Sequence, residues 1–105
     1  MLSKKYKLRY SPLFDKDLNR ILDYILFELR NKTAAQKFID NVEKAIKTRL
    51  ENPVFFEVYR TLKKRKFDYR RIYVGNYLIF YVVIGNTMIV RRCLYGRRNI
   101  KAILK

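Results

Sequence analysis

Arg91, Arg92, Arg97 and Arg98 crowd four guanidinium groups into the eight residues 91–98, RRCLYGRR, with no carboxylate among them. Arg70 and Arg71 add two more, and the run Lys63-Lys64-Arg65-Lys66 stands just before them. Like charges this close repel, so the pattern calls for an anionic partner. Guanidinium forks hold phosphate oxygens bidentately and do not lose their charge. Tyrosines are interleaved with them: Tyr69, Tyr73, Tyr77, Tyr81 and Tyr95. Such rings can stack on unpaired bases or hold a proton. Together the residues could cleave RNA without histidine. Arginine would stabilise charge on the scissile phosphate while lysine or tyrosine moved a proton. The same residues also suit a surface that only binds.

Other chemistries are excluded by what is missing. With no histidine in the chain, no Ser-His-Asp or Cys-His arrangement can form, and a conventional zinc site is not expected. Gly75, Gly85 and Gly96 stand alone rather than in a phosphate-binding loop. Asp15, Asp17, Asp23 and Asp40 fall on expected helices and read as solvated charges. Cys93 lies among apolar neighbours in an expected strand and reads as an inert packing residue. No metal or cofactor is called for.

These side chains need a scaffold, and the apolar pattern describes one. Tyr6, Leu8 and Tyr10 alternate with Lys5, Lys7 and Arg9, the period of a half-buried strand over 5–10. Ser11-Pro12 opens a helix, and Phe14, Leu18, Ile21, Leu22, Ile25 and Leu29 give it an apolar stripe. Asn31-Lys32 interrupts the stripe. Thr33 and Gln36 then match a capping box for a second helix. Its stripe is Ala35, Phe38, Ile39, Val42, Ile46 and Leu50, and Asn52-Pro53 ends it.

Residues 67–74, 77–84 and 87–95 read as strands joined by Gly75-Asn76 and Gly85-Asn86, two-residue hairpin signals. The expected fold is α+β: an N-terminal strand, a helical hairpin, then a three-stranded antiparallel meander. The first strand completes a four-stranded sheet, and a short C-terminal helix covers 98–104. Residues 53–66 form a connector. Strand 77–84 is apolar on both faces, so the last helix and the connector, or a partner chain, must cover the side away from the hairpin.

At 105 residues the chain forms one domain, 1–105. Its formal net charge of +16 is uneven: residues 57–105 hold thirteen basic residues against only Glu57 and Asp68. Such a half attracts polyanions, nucleic acid first, with an acidic protein as the alternative. There is no run long and apolar enough for a membrane span, and one cysteine allows no internal disulfide, so a cytoplasmic location is expected.

The order and spacing of several short segments resemble the RelE/ParE superfamily of toxins from type II toxin–antitoxin systems. They are Tyr10-Ser11-Pro12 leading into Asp17-Leu18, then Asp23-Tyr24-Ile25, Ala34-Ala35 with Phe38, and Asn52-Pro53. Residues 69–81, YRRIYVGNYLIFY, and 94–98, LYGRR, follow. The resemblance implies growth arrest, a part in plasmid stabilisation and neutralisation by a cognate antitoxin. It also implies a choice of target: RelE-like members cut mRNA in the ribosomal A site, whereas ParE-like members block DNA gyrase without being nucleases.

RelE-like nucleases place an arginine after the tyrosine that opens the central strand, where this chain has Leu78. They tend to carry a tyrosine or histidine near the C-terminus, where residues 100–105, IKAILK, offer neither. Arg98, however, matches the arginine they keep after the last strand, and Arg70 and Arg71 fall where they carry lysines. The basic C-terminal half tips the expectation towards a metal-independent endoribonuclease acting on the ribosome and mRNA. Arg98 and Arg71 would then stabilise the phosphate and Tyr95 would move a proton. Arg70, Arg91, Arg92, Arg97, Tyr69 and residues 63–66 would hold the RNA. A gyrase inhibitor, or a non-toxic nucleic-acid-binding module, is the alternative.

Overall fold

The computed structural model describes residues 5–59, 66–98 and 100–104. Lys63, Lys64 and Arg65 of the expected basic run lie outside them. The chain begins with β1 (Lys7–Tyr10) and then α1 (Pro12–Asp23), which continues as one π-helical turn over Tyr24–Glu28. The second helix, α2, spans Lys32–Leu50. Strands β2 (Val58–Tyr59), β3 (Tyr69–Val74), β4 (Tyr77–Ile84) and β5 (Thr87–Tyr95) precede α3 (Ile100–Ile103). No helix among the described residues is long and apolar enough to cross a membrane.

The sheet has five strands in the order β1-β5-β4-β3-β2, one more than the pattern predicts. The extra strand is β2, two residues of the connector paired antiparallel with Arg70 and Tyr69. So short a segment carries no readable alternation, and its neighbour imposes the extended shape. At the other edge β1 runs parallel to β5, with Lys7 opposite Thr87 and Tyr10 opposite Val90. The helical hairpin and the three strands after it form the long connection that a parallel pair requires.

Ser11 caps α1 as expected: its Oγ accepts from the Phe14 amide at 3.3 Å. It also donates to the Arg91 carbonyl at 2.8 Å, tying the helix start to β5. The expected cap of α2 is corrected. Asn31, not Thr33, accepts from the Ala34 amide at 2.9 Å, and Gln36 instead donates to Asp40. A second correction concerns Leu29, which the stripe places in the core but which is exposed. The Leu29 amide bonds to the Tyr24 carbonyl five residues back, so the π turn rotates the helix end outward. Phe27 is carried out with it, 71% exposed. Gly75 and Gly85 have φ of 56° and 60°, while the asparagines after them do not have positive φ. One left-handed residue at the first turn position is the pattern of a type II′ hairpin turn.

The two faces of β4 divide as expected. Ile79, Tyr81 and, at its edge, Tyr77 pack with Phe14, Val42 and Ile46 of the helical hairpin. Leu78 and Phe80 pack on the opposite side with Leu94, Ile100 and Leu104. Tyr59 of β2 and Tyr69 of β3 close over the same cluster. The last helix and the connector therefore cover this part of the second face. Between β4 and β5 the register shifts: Phe80 stands opposite Arg92 but Tyr81 opposite Val90, leaving Arg91 as the extra residue of a β-bulge. The bulge is why Val90 and Cys93, three apart, both reach the helix-side core.

Candidate functional site

The arginines that the sequence groups together are dispersed by the fold, each to a different duty. Arg92 is held by Asp17 of α1: its Nε lies 2.7 Å from Oδ2 and its Nη2 lies 3.0 Å from Oδ1. The same Oδ2 accepts the Cys93 amide at 3.0 Å. The physical reason is the sheet edge. Pairing with β1 ends at Val90, so the Cys93 amide has no strand beside it and takes a carboxylate instead. Asp17 is only 3% exposed. The expectation of a solvated helix charge is thus overturned, because an acid aimed at an open edge satisfies both a backbone donor and a guanidinium. The hydrogen bond to Asp17 is also the chief reason that the Arg92 pKa is raised.

Arg71 and Arg70 occupy opposite faces of β3. Arg71 stands opposite Phe80, and its guanidinium lies 4.9 Å over the Tyr59 ring and 5.4 Å over Tyr73. Arg70 stands opposite Tyr81, on the hairpin side, and its Nε donates to the Phe56 carbonyl at 3.0 Å. Arg91 sits in the bulge, its Nε buried without a hydrogen-bond partner among the described residues. Tyr69 meets the Phe80 ring edge-on at 6.2 Å. Lys66 and Arg97 are exposed, with the Lys66 ammonium 5.6 Å from the Phe67 ring centroid.

Arg98 and Tyr95 do come together, on the hairpin side. They line a pocket of about 230 Å³ with Tyr77 and Cys93 from the sheet and with Asp17, Arg20, Ile21 and Tyr24 from the first helix. The Tyr77 and Tyr95 rings meet edge to face at 5.5 Å. Burial pushes the Tyr77 hydroxyl above its ordinary pKa, with smaller contributions from Cys93, Tyr95 and Tyr24. Burial likewise pushes the Cys93 thiol up to about 12, with Asp17 adding to the rise. At neutral pH both groups keep their protons, so they can donate or pack but serve as neither base nor nucleophile.

Sequence reasoning about chemistry missed Arg20, Tyr24 and Arg49. A signal for the first two existed, because Asp17, Arg20, Ile21 and Tyr24 follow the three-and-four spacing of one helix face. Arg49 had none. Its Nη1 donates to the Arg71 carbonyl at 2.9 Å and to the Tyr81 hydroxyl at 3.0 Å, and its guanidinium stacks 3.5 Å over Phe56. The Tyr81 hydroxyl in turn donates to the Pro53 carbonyl at 2.7 Å. This network ties the end of α2 and the connector to the sheet.

Comparison with known proteins supports the same architecture. The chain superposes on the chromosomal ParDE TA system from P. aeruginosa with a TM-score of 0.71 at 15% identity, covering 89% of this chain and 98% of that one. The RelB-RelE antitoxin-toxin complex from Methanococcus jannaschii gives 0.52 at 24% identity, covering 92% and 99%. The E. coli DinJ-YafQ toxin-antitoxin complex gives 0.56 at 10% identity, covering 87% and 92%. At these identities the likeness is one of fold. No curated protein sequence matches significantly. The profile of the family described as ParE toxin of type II toxin-antitoxin system, parDE, matches residues 8–100. Spanning the hairpin and the whole meander, that match places the chain in the RelE/ParE superfamily, and it belongs to the ParE family of type II toxins.

Proposed function

We propose that this toxin acts on DNA gyrase by binding it, without cutting RNA, and that a cognate antitoxin neutralises it. The observation that carries the reading is Leu78. It takes the place of the arginine that RelE-like nucleases put after the opening tyrosine of the central strand. Here it is 9% exposed and packed with Phe80, Leu94, Ile100 and Leu104. The position thus belongs to an apolar cluster under α3 and offers no charge to a phosphate. Arg71 and Arg98 also face opposite sides of the sheet, an arrangement unlike two cations converging on one scissile phosphate. Exposed Phe27 and Phe55 add apolar surface for a protein partner to cover.

A second reading, mRNA cleavage on the ribosome, is favoured by one observation: Arg98 and Tyr95 share a pocket with Arg20. One experiment separates the two. Purified toxin is added to gyrase, relaxed plasmid and ATP, and mRNA ends are mapped after brief expression in cells. Lost supercoiling with intact messages supports gyrase. Normal supercoiling with new ends confined to translated messages would overturn it.

A further inference from the structure

We propose that the pocket between the first helix and the ends of β4 and β5 binds a nucleotide through its terminal phosphate monoester. The inference goes beyond the choice of target and does not depend on it.

Charge selects the ligand. Asp17 lines the pocket, yet both its oxygens are engaged by Arg92 and the Cys93 amide, so that pair is neutral towards a visitor. Arg20 and Arg98 are left, exposed and without an ion pair among the described residues. Two uncompensated guanidinium groups match a phosphate monoester, which carries about −1.5 to −2 at neutral pH. A carboxylate or an internal phosphodiester brings only a single charge.

The walls select a ring. Tyr24, Tyr77 and Tyr95 come from three elements, the first helix, β4 and β5, and Tyr24 is half exposed. Stacking on such a ring contributes about 1–3 kcal/mol per base. Tyr77 retains its proton at neutral pH and so can donate to an anion. At about 230 Å³ the pocket lies below the ordinary range for whole ligands, and it admits one ring and one phosphate with the remainder outside. A free mononucleotide and the phosphorylated end of a single strand share this chemistry.

The test uses the purified full chain and isothermal titration. The ligands are AMP, adenosine, inorganic phosphate, and a short single strand with and without a terminal phosphate. AMP should bind at least about tenfold more tightly than adenosine or phosphate alone, since ring and charge act together. Arg98→Ala and Arg20→Ala should each weaken AMP binding by about tenfold, the worth of one charged hydrogen-bonding group. Tyr24→Leu should weaken it while leaving phosphate binding alone. If the phosphorylated strand also binds and the unphosphorylated one does not, a strand end is the source; if AMP alone binds, it is the free nucleotide. AMP binding no tighter than phosphate, or unchanged in both arginine variants with circular dichroism showing an intact fold, would overturn the site. Because gyrase is absent from the assay, failure here leaves the gyrase reading standing, and the reverse holds too.

Discussion

Two arginines near the end of β5 lie close to Asp17, and their fates differ. Arg92 makes a bidentate bond to that acid, whereas Arg98 lines the pocket beside it with no carboxylate of its own. They stand six positions apart in a run that holds four arginines and no acid. What differs is the neighbouring backbone. Arg92 belongs to a strand whose outer edge is open and must be satisfied, and an acid brought there by α1 serves both needs. Arg98 lies past the strand, where no such demand exists. A guanidinium becomes structural where a buried donor needs the same acid, and stays available for ligands elsewhere.

Substitutions can break this comparison. The largest effect is expected at Asp17→Ala, which strands the Arg92 guanidinium and the Cys93 amide together. Breaking a buried pair of this kind costs about 3–5 kcal/mol. Chemical denaturation would measure it, and a loss below about 1 kcal/mol would mean that Arg92 is as free as Arg98. Next comes Tyr81→Phe, which tests a second engaged arginine, Arg49. It removes one of the two acceptors of Arg49 and the donor to the Pro53 carbonyl, for a loss of about 1–3 kcal/mol by denaturation.

The pH dependence sharpens the picture at Cys93, between the two arginines. Its thiol keeps its proton in the fold up to about 12 but ionises at its ordinary 9.0 when unfolded. The unfolded chain therefore loses a proton first, and stability falls as pH rises from 9.0 towards 12. The contribution of this group is up to about 1.4 kcal/mol per pH unit. Denaturation at several pH values should show a shallower decline in Cys93→Ala. The smallest effect on stability is expected at Arg98→Ala. Its denaturation midpoint should match that of the parent chain, and a clear loss would show that Arg98 is structural after all.

The sheet features that the pattern did not specify share a cause with the arginines. The fifth strand and the parallel edge depend on contacts between distant segments: Val58 with Arg70, and Lys7 with Thr87. Neither pairing leaves a local trace. The bulge at Arg91 is similar, since it shows only as a shifted register between two strands. The pairing of Arg98 with Tyr95 was legible, because both follow from one short segment. The entry of Arg20 and Tyr24 was half legible, as a polar continuation of an apolar helix stripe.

Periodicity and turn chemistry by themselves determined the two main helices, the three long strands and the two faces of β4, because those patterns record local backbone geometry and burial. The family resemblance was equally present in the order of short segments along the chain. Only the tertiary structure decided which charges are free. An acid and a base 75 residues apart can neutralise each other only when the fold closes the distance between them. No local pattern encodes that distance.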